Sequence, residues 1–293
     1  MMSKLLDREI AKLENATTKR LTQEYETALK SIRSELQTVY AKHGIDGKLS
    51  MEDMQKYSRL VNLEKSINKE LGRLSGVTTR NVKKLAAASF STAYAVNEFI
   101  IASELKIAIN IGKLPVNQVE AAAANDYTLI ALNRNRQTVQ NRIKSDIIQG
   151  IVQGRSYRDT AKLVKESLEK NLNNADTIAR TESHRAREAG TQTSYERAQG
   201  IGVQLKKQWV ATLDGKTRDS HQLADGQVVD IDKPFAVDGQ HLMYPGDPAG
   251  GAENVINCRC TQIPVIEGVR PNTRASKAGQ IDASITYTEW QNR

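Results

Sequence analysis

The residues with the clearest capacity for chemistry are two cysteines and two histidines in the last third of the chain, His221, His241, Cys258 and Cys260. Two thiolates and two imidazoles form a donor set that suits Zn²⁺. On a strand, Cys258 and Cys260 would point to the same face, because side chains alternate along a strand. The donor set therefore raises the hypothesis of a zinc site formed by these four residues.

Other interpretations of the same residues stay open. A Cys-x-Cys pair differs from the usual Cys-x₂₋₄-Cys spacing of zinc sites, and neither His221 nor His241 has a standard spacing to it. The cysteines could instead be reduced side chains that fill apolar space, or a redox pair. The histidines could be surface or capping residues. His184 lies in a basic helical stretch and is expected to be exposed or capping rather than a ligand.

No catalytic residues are predicted. The segment 214–221 contains a serine, a histidine and two aspartates, but a triad is defined by convergence in space and not by proximity in sequence. The aspartates of the last third mostly adjoin glycine, lysine or proline, which is typical of turns. A phosphate-binding P-loop, a GxGxxG fingerprint and an HExxH zinc motif are all absent from the sequence.

A basic helical stretch offers a second candidate site. Arg180, Arg185 and Arg187 could contact the phosphates of DNA. The acidic residues Glu182 and Glu188 lie among them, so an internal ion-pair network that anchors the following module is an equally good interpretation.

The charge distribution favours a polyanionic partner. Residues 1–208 contain 34 basic and 23 acidic residues, a net charge of +11, whereas residues 209–293 contain 8 and 11, a net charge of −3. Nucleic acid is the partner that such a balance suits best, although an ordinary solvated helical surface would also explain it. Two cysteines exclude a disulfide-rich secreted scaffold. We expect no membrane span and no signal peptide, and hence synthesis in the cytoplasm.

Apolar periodicity predicts a mostly helical chain up to Gly200. Predicted helices occupy residues 3–41, about 51–71, about 79–109, 117–155, about 157–172 and about 175–199. We expect helices to be interrupted near Gly72 and Gly76 and at the pair Asn173-Asn174. We expect Ser50 and Ser156 to cap helices.

Beyond Gly202 the pattern becomes strand-like, with Asp-Gly turns and a loop rich in proline and glycine at 244–251. Strands are predicted at 204–213 and 258–265. The fold class is therefore α+β, with a mostly helical N-terminal two-thirds followed by a small, loop-rich, β-containing module. We divide the sequence into helical regions 1–120 and 121–208, the module 209–268, and a polar tail 269–293.

Two groups of segments together resemble the phage Mu F-like head morphogenesis family, the minor head proteins of tailed bacteriophages. The first group is Ala179-Arg180-Thr181-Glu182 with the preceding stretch 147–157. The second runs from Trp209 to His221 and continues through Asp225-Gly226 and the segment 244–248 to Asn257-Cys258-Arg259-Cys260. The resemblance covers about residues 130–265, and the order of the segments is its most specific feature.

The resemblance implies a structural component of the virion without catalytic activity. Such proteins enter the procapsid with the portal protein, lie inside the head near the portal vertex, and assist assembly and DNA ejection. The implied partners are the portal protein, phage DNA, and a scaffold or major capsid protein, with no membrane involved. The long N-terminal helix suits docking onto another protein's helices, or self-association. Two alternatives stay open, a metal-dependent hydrolase or toxin-like enzyme acting on nucleic acid through the C-terminal module, and a free DNA-binding protein.

Overall fold

The computed structural model describes residues 3–266, 274–276, 279–281, 286 and 289. Its helices are α1 (Ser3–His43), α2 (Met51–Gln55), α3 (Arg59–Leu105), α4 (Val116–Ala123), α5 (Asp126–Val152), α6 (Tyr157–Gly200), α7 (Asp219–Ala224) and α8 (Ala252–Val255). Its strands are β1 (Leu205–Val210), β2 (Val228–Asp230), β3 (Phe235–Val237), β4 (Gln240–Leu242), β5 (Thr261–Ile266), β6 (Arg274–Ser276) and β7 (Gly279–Ile281). The predicted α+β class, with helices first and a small β-containing region after them, is confirmed.

The chain forms two compact units, each assembled from separate segments. The helical unit comprises residues 16–82 and 126–178, and the mixed unit comprises residues 1–15, 83–125 and 179–293. The helices α1, α3 and α6 each contribute residues to both units. The regions predicted from the sequence are continuous stretches of chain, whereas each of these units combines segments that are distant in sequence.

The helical unit buries one aliphatic core contributed by α1, α3, α5 and α6. The apolar positions recur every three or four residues, so each helix presents a single stripe to its neighbours. Core side chains that are at most 4% exposed include Ile32, Leu36, Leu63, Leu71, Ile143, Ile147, Val164 and Leu168. The predicted caps are present, because Ser50 Oγ accepts from Asp53 N at 3.0 Å and Ser156 Oγ accepts from Asp159 N at 3.2 Å.

Two predicted helix interruptions are wrong. Helix α3 continues through Gly72 and Gly76, and helix α6 continues through Asn173 and Asn174. A glycine in a helix costs about 1 kcal/mol relative to alanine, and asparagine less. Burial of the flanking core residues of each stripe outweighs these costs. By contrast, the stretch predicted as one helix at 117–155 is divided into α4 and α5 around Ala124 and Asn125, and α5 ends at Val152.

The apolar stripe of α1 is buried within the chain itself. Leu6 and Ile10 pack with Ala93 in the mixed unit, and Tyr25, Ile32 and Leu36 contribute to the core of the helical unit. The sequence suggested that this stripe docks onto a partner. Since the stripe is already covered, any docking by this region has to use another surface.

A window of 18 residues within 51–105 has a mean hydropathy of 1.3, apolar enough to cross a membrane by length and composition. We predicted no membrane span from the sequence, and helices of this length and composition also occur in protein cores. Half of that window is buried inside the protein, as in a helix that forms part of a core.

The mixed unit contains an antiparallel sheet of order β2-β1-β5, with Trp209 opposite Gln262 in the β1–β5 register. Strands β3 and β4 form a hairpin, and so do β6 and β7. The hairpin β6–β7 falls inside the predicted polar tail, most of which lies outside the described residues. A second apolar cluster, around Trp209, Phe235 and Leu242, supports the region where the predicted metal ligands lie.

Candidate functional site

The structure brings three of the four predicted metal ligands together. His221 lies on α7, and both cysteines lie in the irregular segment that precedes β5. The Nδ1 atom of His221 is 3.3 Å from Cys260 Sγ and 3.7 Å from Cys258 Sγ, and the ligand atoms of the three residues all lie within 4.8 Å of one another. The strand predicted at 258–265 begins later than expected, at Thr261. Both thiols nevertheless lie close to the same imidazole.

His241 does not belong to this group, and here the predicted ligand set is corrected. In the β3–β4 hairpin His241 is paired with Ala236, whereas Leu242 is paired with Phe235. Directly opposed residues of an antiparallel pair share a face of the hairpin. Phe235 and Leu242 are buried, so Ala236 and His241 lie on the opposite, exposed face.

His184, which the sequence led us to expect as exposed or capping rather than as a ligand, is partly buried. It lies on α6, where its Nε2 atom is buried and has no hydrogen-bond partner among the residues that the structure describes. Cys258 is close enough to the ring for each group to shift the pKa of the other. The chain has four histidines. Pairing the Cys-x-Cys segment with each of them in turn would have included His184 in the search.

A loop closes over His184. Gly246 has a φ of +81°, and a Cβ at this position would lie 3.1 Å from Cδ2 of His184. Any other residue there would be strained and would press on the ring. The Asp247 carboxylate holds the loop by accepting from Met243 N at 2.7 Å and from Ala249 N at 2.9 Å.

The side chains around the thiols hold them in place. Asn254 Oδ1 lies 3.3 Å from Nε2 of His221, which it can accept from, and Trp209 meets the His221 ring edge-on at 5.7 Å between centroids. Arg259, which separates the two cysteines, pairs with both carboxylate oxygens of Asp214. Its carbonyl oxygen accepts from Thr212 Oγ1 at 2.8 Å.

The two thiols influence each other's ionisation. A hydrogen bond from Cys260 holds the pKa of Cys258 well below its ordinary value; the imidazoles of His184 and His221 act in the same direction, and burial opposes them. The same hydrogen bond raises the pKa of Cys260 well above its ordinary value, and burial adds to this. Burial lowers the pKa of His184, but the hydrogen bond and charge of Cys258 outweigh it, so the net shift is upward.

The exposure of these residues limits what the site can do. Cys258, Cys260 and His221 are 6%, 2% and 2% exposed. A substrate would reach them only if the surrounding loops opened. The arrangement therefore resembles a closed, structural centre more than a catalytic one, which keeps an open coordination position.

The three candidate DNA-binding arginines have different surroundings. Arg180 is exposed. Arg185 is buried, 4% exposed, and paired with Glu182, which is itself buried. Arg187 pairs with Asp7 and Glu188. The internal ion-pair network that was the alternative interpretation is therefore present, and whether any of the three contacts DNA stays a prediction.

Comparison with known proteins agrees with the resemblance noted in the sequence. Residues 141–263 match the family model described as phage Mu protein F like protein. The chain is 29% identical over 299 residues to the minor head protein GP7 of Bacillus phage SPP1. The alignment covers 98% of this chain and 96% of that protein. No solved structure matches the chain.

A second relative has a different name. The chain is 30% identical over 247 residues to the NAD(+)–arginine ADP-ribosyltransferase EFV of Enterococcus faecalis. That alignment covers 83% of this chain but 50% of the relative, so the chain spans about half of its length. The segments that carry the resemblance, from residue 147 to Cys260, fall inside the match to the family model. The chain belongs to the phage Mu protein F-like family of head morphogenesis proteins.

Proposed function

We propose that this chain is a minor head protein that lies inside the phage head beside the portal, contacts the packaged DNA, and assists assembly and DNA ejection. The observation that carries the proposal is the alignment with minor head protein GP7 of Bacillus phage SPP1 over nearly the full length of both chains. Family membership supports its coarser part, a structural role in head morphogenesis and a location in the virion. The contacts with the portal and with DNA are more specific than family membership alone supports, and each needs its own test.

The charge of the two units supports the DNA contact and suggests where it lies. The helical unit contains 21 basic and 14 acidic residues, a net charge of +7, whereas the mixed unit contains 21 and 20, a net charge of +1. Many of the basic side chains of the helical unit are exposed, among them Arg142, Lys162 and Lys170. We therefore place the DNA-contacting surface on the helical unit rather than on Arg185 or Arg187.

The portal contact is tested in assembled particles. Heads are purified from a phage that encodes this chain, with and without its portal protein, and the copies of the chain per head are counted by quantitative mass spectrometry. We expect a few copies per head with the portal and a loss of most of them without it. Equal incorporation into heads that lack the portal contradicts the proposal.

The DNA contact is tested with the full chain and duplexes of unrelated sequence. Binding to phosphates releases counterions, so affinity should be independent of sequence, and each contact should contribute about 0.9 to the slope of log affinity against log salt. The triple variant Arg142→Gln/Lys162→Gln/Lys170→Gln should lower this slope. The matched control Lys84→Gln/Lys113→Gln/Lys216→Gln removes three exposed cations from the mixed unit and should leave the slope nearly unchanged. Equal effects of the two triple variants would contradict a DNA-contacting surface on the helical unit. Binding that does not weaken with salt would contradict phosphate contacts altogether.

A further inference from the structure

We propose that His184, His221, Cys258 and Cys260 bind one Zn²⁺ ion with four protein ligands, and that this ion joins α6, α7 and the segment before β5. The proposal concerns the stability of the mixed unit and is independent of the portal and DNA contacts. It replaces His241, which the sequence suggested, by His184.

The distances among three of the ligands fit a single ion. Zinc bonds of about 2.3 Å to sulfur and about 2.0 Å to nitrogen, in tetrahedral geometry, place ligand atoms roughly 3.3–3.8 Å apart. The separations from His221 Nδ1 to the two sulfurs, 3.3 Å and 3.7 Å, lie in this range. Small side-chain rotations would bring all three atoms to bonding distance of one point.

We assign the fourth ligand position to His184, which lies outside the group of three residues whose ligand atoms are within 4.8 Å of one another and would have to move towards them to bind the same ion. The His184 ring lies close to Cys258, and its Nε2 atom is buried without a partner among the described residues, an arrangement that costs free energy unless something binds it. A metal ion beside Cys258 would supply that partner. The loop at Gly246 packs against Cδ2 and Nε2 of the ring, so the imidazole has little room to move on that side.

The second layer of contacts has the features of a metal site. A ligating histidine usually donates its other ring N–H to a carbonyl or carboxylate oxygen, which fixes its tautomer. His221 can donate Nε2–H to Asn254 Oδ1 and thereby present the lone pair of Nδ1 to the sulfurs. The pairing of Arg259 with Asp214 fixes the backbone between the two cysteines.

The donor set selects the metal class. Two thiolates with two imidazoles favour Zn²⁺ over Mg²⁺ or Ca²⁺, which prefer oxygen ligands. Binding forms two sulfur–zinc bonds and two nitrogen–zinc bonds, and the protons held by the thiols leave to solvent. Three of these ligands are almost fully buried and His184 is partly buried, so a set of four protein ligands here indicates a structural ion rather than one that activates water.

The experiment uses the full chain without a histidine tag, produced in medium supplemented with zinc. Elemental analysis measures zinc per chain, and Co²⁺ exchanged into the site reports its geometry through the visible d–d bands and the thiolate-to-cobalt charge-transfer band. We expect about one zinc per chain and a tetrahedral cobalt spectrum with thiolate bands.

Variants of the proposed ligands identify which residues hold the metal. Most of it should be lost from each of Cys258→Ser, Cys260→Ser, His221→Ala and His184→Ala, whereas His241→Ala should keep it. Asn254→Ala should weaken zinc binding roughly 10–100-fold.

Several results would overturn the proposal. Wild-type protein that holds no zinc and gives no thiolate–cobalt band contradicts the site as a whole, as does a Cys258–Cys260 disulfide detected by mass spectrometry in the purified chain. Full metal content and an unchanged cobalt spectrum in His184→Ala contradict the assignment of the fourth ligand. If the cysteine variants do not fold, the cobalt spectrum of the wild-type chain still decides between a metal site and thiols that merely fill apolar space.

Discussion

The two units bury different kinds of side chain. The core of the helical unit is almost entirely aliphatic, with Leu and Ile on helical stripes. The mixed unit instead buries several ionisable groups, including Glu182, Arg185, Glu188, Lys207, Asp214 and His221. Apolar burial is non-directional and tolerates exchange of similar side chains, whereas buried charges need particular partners at particular distances. We therefore expect the helical unit to respond to substitutions through volume and the mixed unit to respond through lost partners.

The largest expected difference concerns ion pairs. Arg185 and Glu182 form a pair in the mixed unit whose side chains are 5% and 7% exposed, whereas Arg73 and Glu24 in the helical unit form one at 39% and 33%. Removal of one partner of a buried pair leaves an uncompensated charge. Arg185→Met should therefore lower the free energy of unfolding by about 3–5 kcal/mol, and Arg73→Met by about 0–1 kcal/mol. Urea denaturation of both variants measures the two costs.

The double variant Glu182→Gln/Arg185→Met separates charge from packing. The loss of stability in Arg185→Met could come from the buried Glu182 carboxylate that has lost its arginine. In that case neutralising Glu182 as well should restore much of the free energy of unfolding. A double variant that is as unstable as the sum of the two single variants would show that packing, and not the unpaired charge, causes the loss.

A smaller effect should appear in the pH dependence of stability. Lys207 is fully buried on β1, donates to Gln192 Oε1 at 3.1 Å and to the carbonyl oxygen of Met243 at 2.6 Å, and lies over the ring of Phe235. Burial lowers the pKa of Lys207 from its ordinary 10.5 to about 8. Between these two values the unfolded chain holds the proton that the folded chain has lost. The free energy of unfolding should therefore rise with pH across this window, by about 3 kcal/mol in total.

The neighbouring lysine provides the control. Lys206 lies on the other face of β1, is exposed, and pairs with Asp230 at 3.1 Å. Lys207→Met should abolish the rise in stability between pH 8 and 10.5, while Lys206→Met should leave it in place. Thermal or urea unfolding across this range gives the slope. An equal slope in wild type and Lys207→Met would mean that Lys207 keeps its proton when buried.

The contrast between the units also explains what the sequence could predict. The helices follow from apolar periodicity, and the caps at Ser50 and Ser156 follow from local side-chain chemistry, because both depend on residues close in sequence. The breaks expected at Gly72–Gly76 and Asn173–Asn174 were wrong because local propensity is a weak term beside core burial. Local rules failed wherever a distant contact supplied more free energy.

The candidate site shows the same limit more sharply. His221 and the two cysteines could be selected by residue type, and the structure brings them together. The choice between His184 and His241 could not be made from spacing, because it depends on the register of the β3–β4 hairpin and on the loop at Gly246 that covers α6. Ligands from separate elements are positioned by the tertiary fold, and sequence distance carries little information about it.

The smallest effect we expect compares two helical glycines, one in each unit. Gly190 on α6 faces Phe90 on α3, and a Cβ at Gly190 would collide with the Phe90 carbonyl oxygen, which is backbone and has little freedom to yield. Gly72 on α3 has open space where a Cβ would be placed. Gly190→Ala should therefore destabilise the chain by about 1–3 kcal/mol through overpacking, whereas Gly72→Ala should stabilise it by up to about 1 kcal/mol through helix propensity. Opposite signs in urea denaturation would show that close backbone approach of α3 and α6, rather than helix propensity, selects glycine at position 190. A stabilising Gly190→Ala would mean that these helices can separate at little cost, and that the mixed unit is as tolerant of substitution at this contact as the helical unit.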